Sequence, residues 1–333
     1  MFIHSYHPNP ILFQIGPIKI YWYGFFIAMG ILIAFIVARW VLGKYNIGIE
    51  YYYRAGRHRM DIDLVDLAVY LIIGGLAGAR FLHIIAELKY YILRPFDIFK
   101  IWNGGLWIYG AIFGGFAGLA FYVNNSAILI PCETQSNSLE KGAQGKNYPH
   151  RISEKEETLK NEHPFCISKG YIIKFLLDLL SPGMVFAQAI GRWGNYFNQE
   201  LYGLPTKLPW GIPIDTLHRV YGFTDNIFFH PVFLYESLLC AIIGILLVWM
   251  HKKKFAYFNS SFVKIGNIFL WYLFLYSFGR FFFEFIRIDL VPMICGIRIT
   301  QIMAGIMLTA SGTALFKKHF FVFLSLFKIK KYQ

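Results

Sequence analysis

The sequence predicts an all-α polytopic membrane protein with seven transmembrane helices and a small extracytoplasmic head between helices four and five. Of its 333 residues, 56% are hydrophobic and 15% are charged, whereas a soluble domain has about 25% charged residues. The mean hydropathy is +0.47. The apolar runs lack the alternation of strands, and a backbone within lipid must satisfy its own hydrogen bonds, so helices are expected.

Seven apolar runs are long enough to cross a bilayer. They cover residues 20–42, 64–86, 105–123, 171–190, 231–250, 266–286 and 293–316. Runs two and three contain clustered glycines, which let membrane helices approach closely. The predicted organisation is helices one to three in 1–123, a loop in 124–170, helix four with a polar signature in 171–198, the head in 199–230, helices five to seven in 231–316 and a tail in 317–333.

The segments between the runs differ in character. Residues 124–170 are rich in Asn, Ser, Glu and Lys, and we expect a flexible cytoplasmic loop without a packed core. The head has three prolines and an apolar set that predicts a core: Leu201, Tyr202, Leu204, Trp210, Ile212, Ile214, Val220, Tyr221 and Phe223. Residues 319–327 are apolar but too short to span, so we expect the basic tail to lie in the inner membrane interface.

The formal net charge of +13 does not predict a nucleic-acid partner. The cations lie in loops between apolar runs, where anionic lipid headgroups and the positive-inside rule account for them. One set of alternate loops holds 21 of the 32 Lys and Arg residues and the other set holds 8. We therefore expect the N-terminus outside and the C-terminus in the cytoplasm.

A metal site is not predicted. The four cysteines form no Cys-x-x-Cys pair, and neither a disulfide framework nor a zinc site is indicated. His83 and Glu87 are four residues apart on the second run, but they lack further ligands.

The run Gly191–Gly203 places polar side chains at the end of the fourth span. It includes Arg192, Asn195, Asn198 and Glu200. Polar groups at that depth are costly and usually serve a function. The alternative is a helix end with a snorkelling Arg and a Gly-rich turn.

A second polar group lies near the outer end of the sixth span. Arg280, Glu284 and Arg287 are spaced by four and three residues, so they share one helical face. A structural Arg280–Glu284 ion pair is one interpretation. The other is an anion site, because arginines from two helices can hold a phosphate through several charge-assisted hydrogen bonds.

Further residues lie on the same predicted side. Tyr23 and Tyr109 are near the outer starts of spans one and three, where interfacial aromatics are common. His230 opens span five and could titrate, and Glu236 would need a partner inside the membrane. Together these features predict a lipid phosphate held near the outer leaflet, beside groups able to manage a proton. There is no Gly-x-Ser-x-Gly elbow, P-loop or metalloprotease motif.

These residues resemble the prolipoprotein diacylglyceryl transferase family. Gly191–Gly203 is similar to its signature, Gly-Arg-x-Gly-Asn-Phe-x-Asn-x-Glu-x-x-Gly, with Tyr196 where Phe is common. Supporting matches are Tyr21 to Gly24, Gly104 to Gly110, His230-Pro231 with Leu234-Tyr235-Glu236, and Arg280 with Glu284. The family also has seven spans, an outside N-terminus and a head between spans four and five.

The resemblance implies transfer of the diacylglyceryl group of phosphatidylglycerol to the lipobox cysteine of a prolipoprotein, the first step of bacterial lipoprotein maturation. A thioether forms, glycerol-1-phosphate leaves and no cofactor is implied. Arg192 and Arg280 would bind the phosphate and stabilise the leaving group. The other residues that the resemblance marks as functional or substrate-binding are Tyr23, Tyr109, Asn195, Asn198, Glu200, Gly203, His230, Tyr235 and Glu284.

The chain departs from the family at Tyr109, where many members have a His proposed as the base for the thiol. Tyr has a pKa near 10, against about 6.5 for His, and is a poor base at neutral pH. Either Tyr109 orients other groups, or another residue or the field of the arginines forms the thiolate; we favour the arginines. The segment 124–170 is a second departure. Two other hypotheses are a transporter of an anionic solute, which predicts repeats and broken helices, and a lipid-binding scaffold.

Overall fold

The computed structural model describes residues 6–16, 18–44, 49–53, 56–60, 62–100, 104–125, 169–256 and 265–329. The chain divides into two compact units, one formed by Met1–Tyr45 with Lys174–Gln333 and the other by Asn46–Ile173. Most of the predicted 124–170 loop lies outside the described residues. The helices are α1 (Trp22–Lys44), α2 (Leu64–Ala86), α3 (Leu88–Leu93), α4 (Ile108–Asn125), α5 (Lys169–Phe197), α6 (Val232–Ala256), α7 (Asn267–Phe283) and α8 (Ile299–Ile329).

Five of these helices, α1, α2, α5, α6 and α8, are long and apolar enough to cross a membrane. The remaining two at predicted spans, α4 and α7, have 18 and 17 residues. The chain is a mainly helical, multi-pass membrane protein. Five spans follow from helix length and composition, and the full set of seven remains a prediction.

In the unit Asn46–Ile173, α2 and α4 pack through their glycines. A Cβ atom added at Gly78 would collide with the backbone of Gly110 and Gly114, and one at Gly74 with that of Gly114. Any larger residue would force the two helices apart. The glycine clusters therefore serve close helix packing, which is the role the sequence favours for them.

The larger unit has an apolar core between α5, α6 and α7. Its buried side chains are Val185, Ala189, Cys240, Ile243, Leu247, Ile268 and Tyr272. Asp178 is 1% exposed on α5 and caps the start of α7, accepting hydrogen bonds from the backbone nitrogens of Gly266 (2.7 Å) and Phe269 (2.9 Å). Asp178 is thus an intramembrane carboxylate with a structural role, because it links α5 to the start of α7.

The segment 199–230 forms a compact subdomain. The pair β5 (Ile212–Pro213) and β6 (Phe228–Phe229) closes it, and Tyr202, Ile212, Ile214 and Phe229 are buried in its core, with Val220 and Phe223 packed against them. The predicted core was wrong for Tyr221, which is 96% exposed, and Trp210 is also exposed. Tyr221 is followed by Gly222 in the left-handed region (φ 94°), so it lies on a surface turn.

The described residues form four short antiparallel strand pairs. Besides β5–β6 they are β1 (Ile11–Ile15) with β2 (Ile18–Tyr21), β3 (Ile49–Tyr53) with β4 (Gly56–Met60), and β7 (Met293–Ile294) with β8 (Ile297–Arg298).

The last span differs from its predicted limits of 293 and 316. Residues 293–298 form the β7–β8 hairpin, because Cys295 (φ 49°) and Gly296 (φ 76°) turn the chain back before a helix can start. Helix α8 then continues to Ile329. Lys317 and Lys318 do not end it, because Lys is a good helix former and neither Gly nor Pro follows before 329. Residues 317–329 extend the last helix, and the position of the basic tail at the inner membrane interface stays a prediction.

Candidate functional site

The signature begins inside helix α5 rather than after it. The helix extends to Phe197, so Arg192 and Asn195 both lie on helical backbone and share a face. The chain then reverses through Gln199 (φ 51°) and Leu201 (φ 57°), two non-glycine residues with left-handed backbone. Such strained backbone persists only where the surroundings hold it. Here Gln199 is fixed by Asp215, whose carboxylate accepts its side-chain amide at 2.5 Å.

The amides of the signature converge on one carboxylate. Asn195 Nδ2 donates to Glu200 Oε1 at 2.8 Å, and Asn198 Nδ2 lies 3.4 Å from the same oxygen. Asn195 is buried, whereas Glu200 is exposed. Gly194, the residue before Asn195 on the helix, makes room for Tyr23 of α1: a Cβ there would lie 2.9 Å from Cδ2 of the ring. Tyr23 is thereby brought against the signature helix.

Gly203 ends the signature by pairing with the segment that follows α7. It bridges Arg287, and its nitrogen donates to the His230 carbonyl oxygen at 3.0 Å. A Cβ at this position would lie 2.8 Å from side-chain carbons of both Ile286 and Val232. The glycine is required by close packing, and it fixes Arg287 relative to helix α5.

Helix α7 ends at Phe283, earlier than the predicted 286, and its last turn directs charged groups to one place. Glu284 caps the helix, and the nitrogens of Glu284 and Arg287 still bond to carbonyl oxygens four residues back. Arg280, Glu284 and Arg287 therefore stay on one face, as their spacing predicts. The Arg280–Glu284 ion pair of the structural interpretation is present, with Nη2 2.5 Å from Oε1.

The central observation is that two helices bring guanidinium groups to a single carboxylate. Nε of Arg192, on α5, lies 2.7 Å from Oε2 of Glu236, on α6. Nη1 of Arg280, on α7, lies 2.7 Å from Oε1 of the same group. Arg287 Nη1 reaches Oε1 at 3.3 Å. Arg192, Arg280 and Arg287 are thus the partners that Glu236 requires at its position in a span.

A second layer of charges supports the first. Arg298, on β8, places Nε 2.8 Å from Glu284 Oε2 and Nη2 3.0 Å from Asp289 Oδ1. Asp289 also accepts both Nε (2.8 Å) and Nη2 (2.9 Å) of Arg287, a bidentate pair. The Glu284 contacts with Arg280 and Arg298 lack the alignment of hydrogen bonds and are held by charge.

We call these seven side chains the arginine cluster: Arg192, Arg280, Arg287, Arg298, Glu236, Glu284 and Asp289. Four guanidinium groups face three carboxylates, which leaves one positive charge in excess. The side chains of Arg192 and Arg280 keep 18% and 17% of their surface exposed, whereas that of Arg287 is 3% exposed. The excess charge is therefore accessible at Arg192 and Arg280.

Both accessible arginines retain hydrogen-bonding capacity. Arg192 Nη2 donates to the hydroxyl of Tyr276 at 3.2 Å, while Nη1 makes no hydrogen bond within the described part of the chain. Arg280 Nε is likewise without a hydrogen-bond acceptor among the described residues. A small cavity beside them is lined by Glu236, Leu239, Cys240, Tyr276, Arg280 and Phe283. The arrangement can accept a monoanion such as a phosphodiester.

His230 and Tyr235 form a separate polar pair in the same unit. Trp210 Nε1 donates to the Tyr235 hydroxyl at 2.8 Å, and that hydroxyl lies 3.2 Å from His230 Nδ1. Since the hydroxyl oxygen already accepts from Trp210, its hydrogen is available to His230 Nδ1. Burial lowers the pKa of His230, which favours the neutral imidazole that this hydrogen bond requires.

Tyr109 lies in the other unit, in the first turn of α4, and is exposed. The chain before it carries Gly104 and Gly105 with left-handed backbone (φ 86° and 74°). Within that unit Arg80 holds this segment by donating to the carbonyl oxygens of Gly104 and Gly105 at 2.7 and 3.3 Å.

Sequence reasoning identified Arg192 and Arg280 but assigned no site role to Glu236, Tyr276, Asp289 or Arg298. Tyr276 precedes Arg280 by four residues, a spacing that marks one helical face and could have been used. Asp289 and Arg298 follow the helix in irregular chain and a hairpin, where periodicity carries no information. Among the described residues, no group of three His, Cys, Asp or Glu side chains could hold a metal ion.

A family profile described as prolipoprotein diacylglyceryl transferase matches residues 10–132 and 164–317. The phosphatidylglycerol–prolipoprotein diacylglyceryl transferase of Synechococcus elongatus is 33% identical over 308 residues, which cover 92% of this chain and 85% of the relative. The corresponding protein of Fervidobacterium nodosum is 36% identical over 281 residues, with 84% and 74% covered. That of Staphylococcus aureus is 31% identical over 308 residues, with 91% and 86% covered. The unmatched residues 133–163 lie within the polar segment 124–170.

Proposed function

The chain belongs to the prolipoprotein diacylglyceryl transferase family, and on that premise we propose how its arginine cluster carries out the transfer. The enzyme moves the diacylglyceryl group of phosphatidylglycerol to the lipobox cysteine thiol of a prolipoprotein, the first step of bacterial lipoprotein maturation. The observation that carries the proposal is the meeting of Arg192 and Arg280 at Glu236, each with a nitrogen left to donate.

In this proposal the phosphodiester of phosphatidylglycerol binds to Arg192 Nη1 and Arg280 Nε. Its single negative charge balances the one positive charge in excess in the cluster. The cysteine sulfur forms a C–S bond to the diacylglyceryl carbon while the C–O bond to the phosphate breaks. The electron pair of that bond remains on glycerol-1-phosphate, whose growing charge the two guanidinium groups stabilise.

The thiol proton leaves before the attack. The field of two partly exposed guanidinium groups favours the thiolate over the thiol, and the proton passes to solvent. Glu284 and Asn195 are positioned to support this arrangement, because Glu284 pairs with Arg280 and Asn195 fixes Glu200. Tyr23, Asn198, Gly203, His230 and Tyr235 shape the surroundings of the substrate.

We further propose that the protein lies in the inner membrane with its N-terminus and head outside and its C-terminus in the cytoplasm. The support is the uneven division of Lys and Arg residues between alternate loops. In that orientation the C-terminal end of α5 and the arginine cluster face the outer leaflet, where the lipobox of an exported prolipoprotein is presented.

Transfer from labelled phosphatidylglycerol to a lipobox peptide tests the function. Arg192→Ala and Arg280→Ala should each lower kcat/KM by about 10²-fold, because each removes a charge-assisted donor from the transition state. Arg94→Ala, an exposed cation over the ring of Tyr90, is the control and should keep full activity. Full activity in both cluster variants would rule out the phosphate role, and solute uptake without release of glycerol-1-phosphate would favour a transporter.

Tyr109→Phe separates two roles for this side chain. If Tyr109 only orients other groups, the variant retains measurable transfer, because the ring and its packing are kept. Complete loss of transfer in a folded variant, judged by an unchanged unfolding temperature, would assign proton transfer to the hydroxyl.

A further inference from the structure

Glu236 occupies the place where the two phosphate-binding arginines meet. Its carboxylate lies 2.7 Å from Arg192 and 2.7 Å from Arg280, with Arg287 at 3.3 Å. The residue is 4% exposed, and it lines a small cavity together with Tyr276 and Cys240. An internal anion therefore already takes one donor from each arginine before any lipid arrives.

This anion determines how much charge the site can accept. With Glu236 ionised, the arginine cluster has one positive charge in excess; without it, the excess is two. The phosphodiester of a phospholipid carries one negative charge. A phosphomonoester carries between about 1.5 and 2 at pH 7, because its second pKa is near 6. In a largely desolvated site a mismatch of one charge is costly.

We propose that Glu236 sets the charge selectivity of the phosphate site, so that it holds a singly charged phosphodiester and releases a doubly charged phosphomonoester. The inference rests on the proposed function, in which the substrate is the diester and the product, glycerol-1-phosphate, is the monoester. Glu236 is a positioning and specificity-determining residue. It leaves Arg192 Nη1 and Arg280 Nε to the lipid and makes the product, with its additional charge, a poor ligand.

Inhibition by added glycerol-1-phosphate measures this selectivity. At pH 7.5 the Glu236→Gln variant should be inhibited at about tenfold lower concentration than the wild type, which corresponds to about 1.4 kcal/mol. The KM for phosphatidylglycerol should change much less, because the diester gains no additional charge. At about pH 5 the product is mainly a monoanion, so the difference between variant and wild type in product inhibition should fall to about threefold, half of the free-energy difference at pH 7.5. A purely structural defect would not depend on the charge of the inhibitor.

Two further variants keep the test decisive. Asp289→Asn removes one negative charge from the cluster at a residue that does not contact Arg192 or Arg280. It should shift product inhibition in the same direction as Glu236→Gln, and it serves as the test if Glu236→Gln does not fold. Asp225→Asn removes an exposed carboxylate from the 199–230 subdomain and should leave inhibition and activity unchanged.

The outcomes separate this inference from the proposed function. If the wild type releases no glycerol-1-phosphate from phosphatidylglycerol, the proposed function fails. If the wild type is active but the folded Glu236→Gln or Asp289→Asn variants are inhibited by glycerol-1-phosphate as the wild type is, only the charge-selectivity proposal is overturned.

Discussion

Arg80, in the unit Asn46–Ile173, and the guanidinium groups of the arginine cluster, in the larger unit, are buried among different partners. Arg80 is 7% exposed. Its Nε donates to Ile98, its Nη1 to Gly104 and Gly105, and its Nη2 to Asp97 and Lys100, in every case to a carbonyl oxygen. The ring of Tyr91 lies 5.2 Å from its guanidinium carbon. All three nitrogens are used by the backbone.

The cluster arginines are paired instead with carboxylates, and the two most exposed of them keep a nitrogen that makes no hydrogen bond within the described part of the chain. A guanidinium group saturated by carbonyl oxygens can only hold a loop in place. One that shares a carboxylate with a second guanidinium group can exchange part of that pairing for a ligand anion. Burial of an arginine therefore does not by itself indicate a binding site. The identity and number of its partners indicate whether it can bind a ligand.

Arg80→Ala removes the donor from five carbonyl oxygens and should lower the free energy of unfolding by about 3 kcal/mol, since hydrogen bonds from a charged group are worth about 1.5–3 kcal/mol each and water can replace some of them. Thermal unfolding in detergent measures it, with the exposed Arg94→Ala as the control. A change no larger than that of the control would show that Arg80 does not hold residues 97–100 and 104–105.

Ligand binding should distinguish Arg80 from the arginines of the cluster. A short-chain phosphatidylglycerol at about 100 times its Kd should stabilise the wild type by about 2.7 kcal/mol. Arg80→Lys should start from a lower stability but gain the same increment. Arg192→Ala should lose most of it, because the ligand loses a charge-assisted donor. An increment lost in Arg80→Lys and kept in Arg192→Ala would reverse the assignment of the two sites.

The smallest effect concerns pH. Burial alone would raise the pKa of Asp289, but the hydrogen bonds of Arg287 and the charges of Arg287, Arg298 and Arg280 hold it below its ordinary value of 3.8. A lowered folded-state pKa gives stability that is present above the unfolded-state pKa and is lost as the pH falls through the folded one. Wild-type unfolding temperature should therefore fall more steeply below about pH 5 than that of Asp289→Asn. Parallel curves for the two proteins would contradict this account of Asp289.

The sequence predicted an apolar helix well where a capping residue marks the start of the run. The run 64–86 coincides with α2. Its N-cap residue, Asp63, accepts hydrogen bonds from the backbone nitrogens of Val65 and Asp66. The prediction failed where helices continue through polar residues. Helix α5 runs past the predicted end at 190 to Phe197. Hydropathy falls at the signature, whereas the backbone hydrogen bonds of the helix continue through it.

The candidate site was predictable only in part for a similar reason. The spacing of Arg280, Glu284 and Arg287 is local, so their shared face could be derived from the chain. The meeting of Arg192 and Arg280 at Glu236 depends on how three helices pack, which spacing does not encode. Arg298 received no site role from its sequence, although it lies 8% exposed against Glu284 and Asp289. The positions of tertiary partners require the fold.

A double-mutant cycle on kcat/KM for diacylglyceryl transfer measures whether Arg192 and Arg280 act on one phosphate. If Arg192 and Arg280 hold one phosphate together, each single Ala variant loses about 10²-fold, and the double variant loses much less than the product of about 10⁴-fold, because the second removal acts on a site already impaired. Losses that multiply fully, or single variants that retain wild-type activity, would contradict the claim that the two arginines act on a single group.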